Sequence, residues 1–140
     1  MAEGWACYAT DLMSEAGALT PLEQIAELRG RIRMSARAVV DVRLHQGRFT
    51  LEQAADYYVE HAGMDRGAAH GEAVKNSMFP GAAVIYLLGT DAIHDLRKEM
   101  SVRQESSFDL RRFHDDFLSL GSIPVSLIGA RMKAEAGYGE

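Results

Sequence analysis

The chain has 140 residues, a formal net charge of −5, and 47% hydrophobic against 25% charged residues, the balance of one globular domain spanning 1–140 and not of a disordered segment. Lys and Arg are interleaved with acids, which argues against nucleic acid as the main partner, because phosphate binding requires a clustered basic surface. A lone cysteine excludes an intrachain disulfide, the start of the chain has no signal-peptide pattern, and the longest apolar run, Ala82 to Leu88, is far below the roughly 20 residues that span a bilayer; a cytoplasmic protein without a membrane partner is expected.

The pattern is helical nearly throughout. From Glu3 to Glu15, Trp5, Tyr8, Ala9, Leu12 and Met13 follow i, i+3, i+4 spacing, and Gly17 supplies a stop. Thr20-Pro21-Leu22-Glu23 offers an N-cap, a first-turn proline and a capping-box acid. The helix it opens places Ile25, Leu28, Ile32, Ala36, Val39 and Val40 on one apolar stripe and ends at His45, before Gln46-Gly47. Thr50 to Gln53 is a second capping box, for a helix through Tyr57, Tyr58 and His61 to Gly63. Asp65 caps a weaker helix toward Met78, interrupted by Gly67 and Gly71.

Pro80 then predicts the start of a long helix to about Arg103, whose first half is apolar all round and so belongs in the middle of a bundle. Ser107 or Asp109 caps a helix with Phe108, Leu110, Phe113, Phe117, Leu118 and Leu120 on its apolar side, ending at Gly121. A last helix starts near Pro124 and frays through Ala136 to Gly139. No β-alternation or internal repeat appears, so the fold class is all-α, a bundle of about six or seven helices.

Few side chains suggest chemistry. Asp41 and His45 lie one turn apart, where an aspartate can orient an imidazole for ligation or proton transfer; the spacing favours a plain helix-end pair. Tyr86, inside an apolar run, is either an oxyanion donor or a core phenol satisfied by a carbonyl. Arg97, eleven residues on, shares its helical face and could grip a carboxylate or pair with Asp41 or Asp109. The arginines at 29, 31, 33 and 37 read as solvated or salt-bridged, and Cys7 as a small buried hydrophobe. His114-Asp115-Asp116 does not converge as a metal cluster, and His70-Gly71-Glu72 lacks the cysteine pair of a zinc deaminase. Nor does any histidine have a second one four residues on, as a H-E-x-x-H zinc helix requires.

Several words in order nevertheless carry a family resemblance. They are Glu3-Gly4-Trp5-Ala6; Arg37-x-Val39-Val40-Asp41-x-x-Leu44-His45; Thr50-x-Glu52-Gln53-Ala54; Pro80-Gly81 with Tyr86-x-x-Gly89; Leu96-Arg97; Phe108-Asp109-Leu110-Arg111-x-Phe113-His114-Asp115; and Leu118-x-x-Gly121-Ser122-Ile123-Pro124. Taken together they resemble the C-terminal part of the bacterial domain-of-unknown-function 885 family, whose members look like gluzincin zinc metallopeptidases. The resemblance implies a larger helical fold with a histidine-bearing zinc helix upstream. By position it makes Glu3 the glutamate metal ligand and puts Tyr86, His45 and Arg97 near the site as oxyanion or substrate contacts. The chain departs from the pattern at Ala82, where a polar amide is common, at Arg43, where a small residue is common, and in Lys75 to Met78, where an arginine is usual.

The expected function is thus the C-terminal, substrate-facing half of a zinc-peptidase-like protein. It is inactive alone, with one candidate zinc ligand where a catalytic site uses three. A peptide-like substrate and zinc belong to the complete form only. The alternative is a non-catalytic helical interaction module, homodimeric or bound to a separate N-terminal half. An unrelated metal-free enzyme using Asp41 and His45 as a base pair has no supporting nucleophile.

Overall fold

A computed structural model describes residues 1–137. Those residues hold seven α-helices and no strand. They are α1 (Ala2–Glu15), α2 (Pro21–His45), α3 (Leu51–Ala62), α4 (Arg66–Met78), α5 (Val84–Gln104), α6 (Leu110–Ser119) and α7 (Val125–Glu135), with a 3-10 turn at Glu105–Ser107. The all-α fold class holds. Of the fraying expected at the end, Tyr138 and Gly139 lie outside the described residues. No described helix is long and apolar enough to cross a membrane.

The helix starts follow the side-chain caps. Thr20 and Thr50 each accept the N3 backbone N–H while Glu23 and Gln53 reach back to the cap N–H, two complete capping boxes. The backbone N–H of Thr20 donates to the Glu23 carboxylate, together with its hydroxyl, and these bonds hold the Glu23 carboxyl below its ordinary value. Asp65 and Asp109 cap α4 and α6 through Ala68 and Arg112. Of the two caps offered for α6, Asp109 therefore acts, and Ser107 ends the 3-10 turn.

The chain forms two compact units, Ala9–Leu87 and Met1–Tyr8 with Leu88–Glu140. In the first, α2, α3 and α4 pack together over a core of Ala36, Val40, Ala54, Ala55, Tyr58, Ala69 and Ala73. Five of these seven are alanine, so the helices approach closely and little large apolar surface is needed between them. A polar thread crosses the core: the Asn76 amide donates to the Tyr58 hydroxyl at 2.7 Å and to the Arg37 carbonyl at 3.1 Å. Burial pushes the Tyr58 phenol well above its ordinary value, so it stays protonated throughout the physiological range.

In the second unit the buried hydrophobic side chains among the described residues are Cys7, Tyr8, Ile93, Leu96, Met100, Phe113, Phe117, Ile128 and Met132. Trp5 stacks on Phe117, with centroids 5.5 Å apart. Here α1 crosses α5 at two glycines. A methyl group placed on Gly4 would stand 2.4 Å from the Gly89 carbonyl carbon, and one on Gly89 would stand 2.9 Å from the Gly4 Cα. The Thr90 hydroxyl donates to the Gly4 carbonyl at 3.3 Å across the same contact.

Four expectations need correcting. The stripe on α2 is buried at Ala36 and Val40, but Ile25, Leu28 and Ile32 are exposed, because α3 and α4 are about half as long as α2 and pack on its C-terminal part. The long fifth helix begins at Val84 and not at Pro80, because residues 80–83 form a turn with Gly81 at φ +80°, a left-handed conformation that a helix does not contain. The first half of α5 is not central either: Ile85 and Leu88 are 50 and 62% exposed. On α6, Phe113 and Phe117 are buried as expected, whereas Leu118 is exposed.

Replacing Gly4 by alanine is expected to cost about 1–3 kcal/mol, or more, since backbone atoms on the facing helix must move. Urea unfolding of Gly4→Ala checks this; an unchanged midpoint would show that the crossing tolerates a side chain.

Candidate functional site

Asp41, near the end of α2, is almost fully buried, and its carboxylate is surrounded by donors. The Gly81 N–H donates to Oδ1 at 2.9 Å and the Ala83 N–H to Oδ2 at 2.8 Å, so the carboxylate grips the turn before α5 by two backbone bonds. His45, one helical turn on, gives its Nδ1 to the same Oδ1 at 2.9 Å and to the Asp41 carbonyl at 2.8 Å. Its Nε2 faces the Ser77 carbonyl at 3.4 Å. The helix-end pairing of Asp41 and His45 is therefore present, and it belongs to a larger latch.

This geometry sets the protonation of His45. With Nδ1 donating to Asp41, neutral His45 would turn an Nε2 lone pair toward the Ser77 oxygen; the imidazolium offers a proton there. The Asp41 carbonyl first, then Ser77 and the Asp41 carboxylate, raise the His45 pKa above its ordinary 6.5, against a smaller opposing effect of desolvation. Such a histidine serves as a cationic donor better than as a general base.

Tyr86 lies two residues into α5 and is half-buried, with the Arg37 guanidinium 5.6 Å from its ring centroid. Arg37 in turn approaches the buried Glu72 carboxylate, Nε to Oε1 at 2.8 Å, although the two atoms are poorly aligned for a hydrogen bond. Arg33 holds the other Glu72 oxygen at 2.8 Å. Arg31 is likewise bonded, to Asp11 at 2.5 Å and Glu27 at 2.6 Å. Of the four arginines read as solvated or salt-bridged, Arg31, Arg33 and Arg37 are ion-paired and Arg29 is exposed, and Glu72 is a charge partner of two of them.

Glu3 and Arg97 stand in the other unit. Glu3 is half-buried in the first turn of α1, directly before the Gly4 contact. Arg97 is half-buried on α5 with its guanidinium 6.0 Å from the Tyr8 ring centroid. Tyr8 is the residue that sequence reasoning passed over. It is fully buried, its hydroxyl lies 2.8 Å from His114 Nε2, and His94 packs edge-on against its ring at 4.9 Å. The i, i+3 pattern marked Tyr8 as core, and nothing local could announce a partner 106 residues away. His114 thus has a defined role on a phenol. Cys7 is buried, as expected.

Zinc is the cofactor that the Glu3 motif brings to mind, and it finds no complete site. No group of three or more His, Cys, Asp or Glu side chains among the described residues could hold a metal ion. A catalytic zinc takes three protein ligands, so these residues do not by themselves fit the group.

A family model described as "Bacterial protein of unknown function (DUF885)" matches residues 1–132. The chain belongs to this family. Two solved structures are similar to it. One is the putative lipoprotein from Colwellia psychrerythraea, 31% identical, with a TM-score of 0.90, covering 96% of this chain and 23% of that one. The other is a putative lipoprotein of unknown function from Shewanella oneidensis, 31% identical, with a TM-score of 0.85, covering 94% of this chain and 24% of that one. The chain thus spans about a quarter of the length of the solved structures it matches. No curated protein matches it significantly.

Two outcomes are expected at Asp41. In Asp41→Asn the amide offers one acceptor where two backbone N–H groups bind separate oxygens, and denaturant unfolding should show a loss of roughly 2–3 kcal/mol. Because folding raises the His45 pKa, its stabilising contribution is complete below pH 6.5 and is lost as pH rises through the folded value. The urea midpoint of the unaltered chain should therefore exceed that of His45→Ala most at low pH and converge on it at alkaline pH. A pH-independent gap would show that His45 does not titrate against this latch.

Proposed function

We propose that the chain is the C-terminal, substrate-facing part of a zinc-peptidase-like DUF885 architecture. Glu3 contributes one metal ligand, and Tyr86, His45 and Arg97 are contacts for a peptide-like substrate. The observation that carries this reading is the setting of Glu3. It sits within the first turn of α1, next to a glycine whose backbone is pressed against α5, the kind of rigid support that metal ligands need. Arg97 as a guanidinium suits a substrate carboxylate, His45 adds positive charge while its two ring nitrogens are held by Asp41 and Ser77, and Tyr86 supplies a phenol for a developing oxyanion. The zinc itself needs imidazoles beyond the described set, so no catalytic step is assigned to these residues alone.

A non-catalytic helical interaction module, homodimeric or paired with a separate N-terminal half, is the second reading, favoured by the exposed aliphatic stripe of α2. The default location expected from the sequence is cytoplasmic, whereas the lipoprotein names of the similar structures support the cell envelope.

Two measurements test the peptidase reading. The 140-residue chain with added zinc is expected to show no chelator-sensitive cleavage of small peptides, and such turnover would refute its assignment as a non-catalytic part. In the Colwellia relative, replacing the residue that superposes on Glu3 by alanine should weaken zinc binding by roughly tenfold or more with helicity unchanged. Zinc affinity equal to the parent's, or no zinc binding by the parent, would remove the metal from the proposal.

A further inference from the structure

The N-terminal half of α2 carries Leu22, Ile25, Leu28 and Ile32 at 76, 54, 64 and 52% exposure. Their three- and four-residue spacing places them on one stripe. The same stripe continues into Ala36 and Val40, which are buried against α3 and α4. With 25 residues α2 is about 37 Å long, whereas α3 and α4, with 12 and 13, are each about 20 Å or less. The helices packed on it therefore cover only half of a stripe whose pattern runs its full length.

Where the cover stops, the surface is already shaped. A groove of about 540 Å³ opens between α2 and α3, lined by Leu28, Ile32, Ala36, Val39, Tyr57 and His61. Single exposed aliphatic residues are ordinary, but a row of four leading into an apolar groove is a contact surface. Arg31, which also lines the groove, is paired with Asp11 and Glu27, while beside the groove on α2 Arg29 is exposed and Arg33 keeps half of its side-chain surface in solvent although bonded to Glu72. The similar structures point to a candidate occupant. The similar structures share this chain's fold over nearly its whole length, yet most of each of those chains lies outside the shared region.

We propose that this groove is the docking site for an amphipathic helix from the part of the DUF885 architecture outside the matched quarter. The incoming helix lays aliphatic residues along Leu22, Ile25, Leu28 and Ile32 and carries acidic residues toward Arg29 and Arg33. This mode is helix-in-groove recognition, read out by anchors at i, i+3 and i+4. The inference rests on family membership and on the exposed stripe, not on zinc chemistry, so loss of the peptidase reading leaves it standing.

Superposing this chain on the Colwellia crystal structure gives the first test. The positions equivalent to Leu22, Ile25, Leu28 and Ile32 are expected to lie beneath helix from outside the matched region; finding them open to solvent overturns the proposal. The second test mixes the 140-residue chain with the remainder of the Colwellia chain, produced separately, and follows binding by calorimetry. Leu28→Glu and Ile32→Glu, each checked for unchanged helicity, should weaken binding by roughly tenfold or more. Equal affinity of parent and variants overturns the proposal. So does a self-association of this chain that the same substitutions abolish, which would assign the face to a second copy. If the separated remainder does not fold, the superposition alone decides.

Discussion

One buried carboxylate organises the region where the candidate contacts of the Ala9–Leu87 unit gather. Asp41 accepts from the Gly81 and Ala83 backbones on separate oxygens and from the His45 ring. Charge-assisted bonds to a buried acceptor are among the stronger polar contacts a fold can make. These fix three things together: the end of α2, the turn that replaces a helical start at Pro80, and the direction of the imidazole. The turn is possible because Gly81 takes a positive φ, and α5 can begin only after it, at Val84. Tyr86 follows within the first turn of that helix, so its backbone position depends on the same carboxylate.

The glycine crossing plays the corresponding part in the other unit. Gly4 and Gly89 belong to two of the short words that carry the family resemblance, and in the structure the two glycines touch. A pair of residues that meets backbone to backbone allows no side chain on either, which gives a steric reason for both words. The resemblance thus has structural content independent of any metal: it marks a helix crossing, and Glu3 shares the rigidity of Gly4.

Helix identity and starts were legible in the sequence because capping is local. Thr20 with Glu23, Thr50 with Gln53, and Asp65 all act within three residues, and the structure realises each of them. The start of α5 was misread because proline suits a first helical turn and also a tight turn, and only the positive φ of the following glycine separates the two. The site was less legible. The spacing showed Asp41 beside His45, but it could not show the two backbone donors 40 and 42 residues away, which convert a helix-end pair into a latch. Tyr8 and His114 illustrate the same limit, since each looked ordinary in its own helix.

The stripe on α2 marks the boundary of what periodicity encodes. An apolar residue at every third or fourth position states that a helix face will be covered, and it carries no information about the covering element. In the C-terminal half of α2 the cover is local and made of small residues, Ala54, Ala55, Ala69 and Ala73, which draw α3 and α4 close. In the N-terminal half the same periodicity continues with larger residues, Ile25, Leu28 and Ile32, which stay exposed although the end of α3 comes alongside Leu28 and Ile32 at the groove. Larger side chains suit a partner that arrives as a separate layer at ordinary interhelical distance, about 8–10 Å, whereas alanines suit neighbours held close by short connections. The change from alanine contacts to exposed leucine and isoleucine along one helix therefore marks where the cover given by α3 and α4 ends.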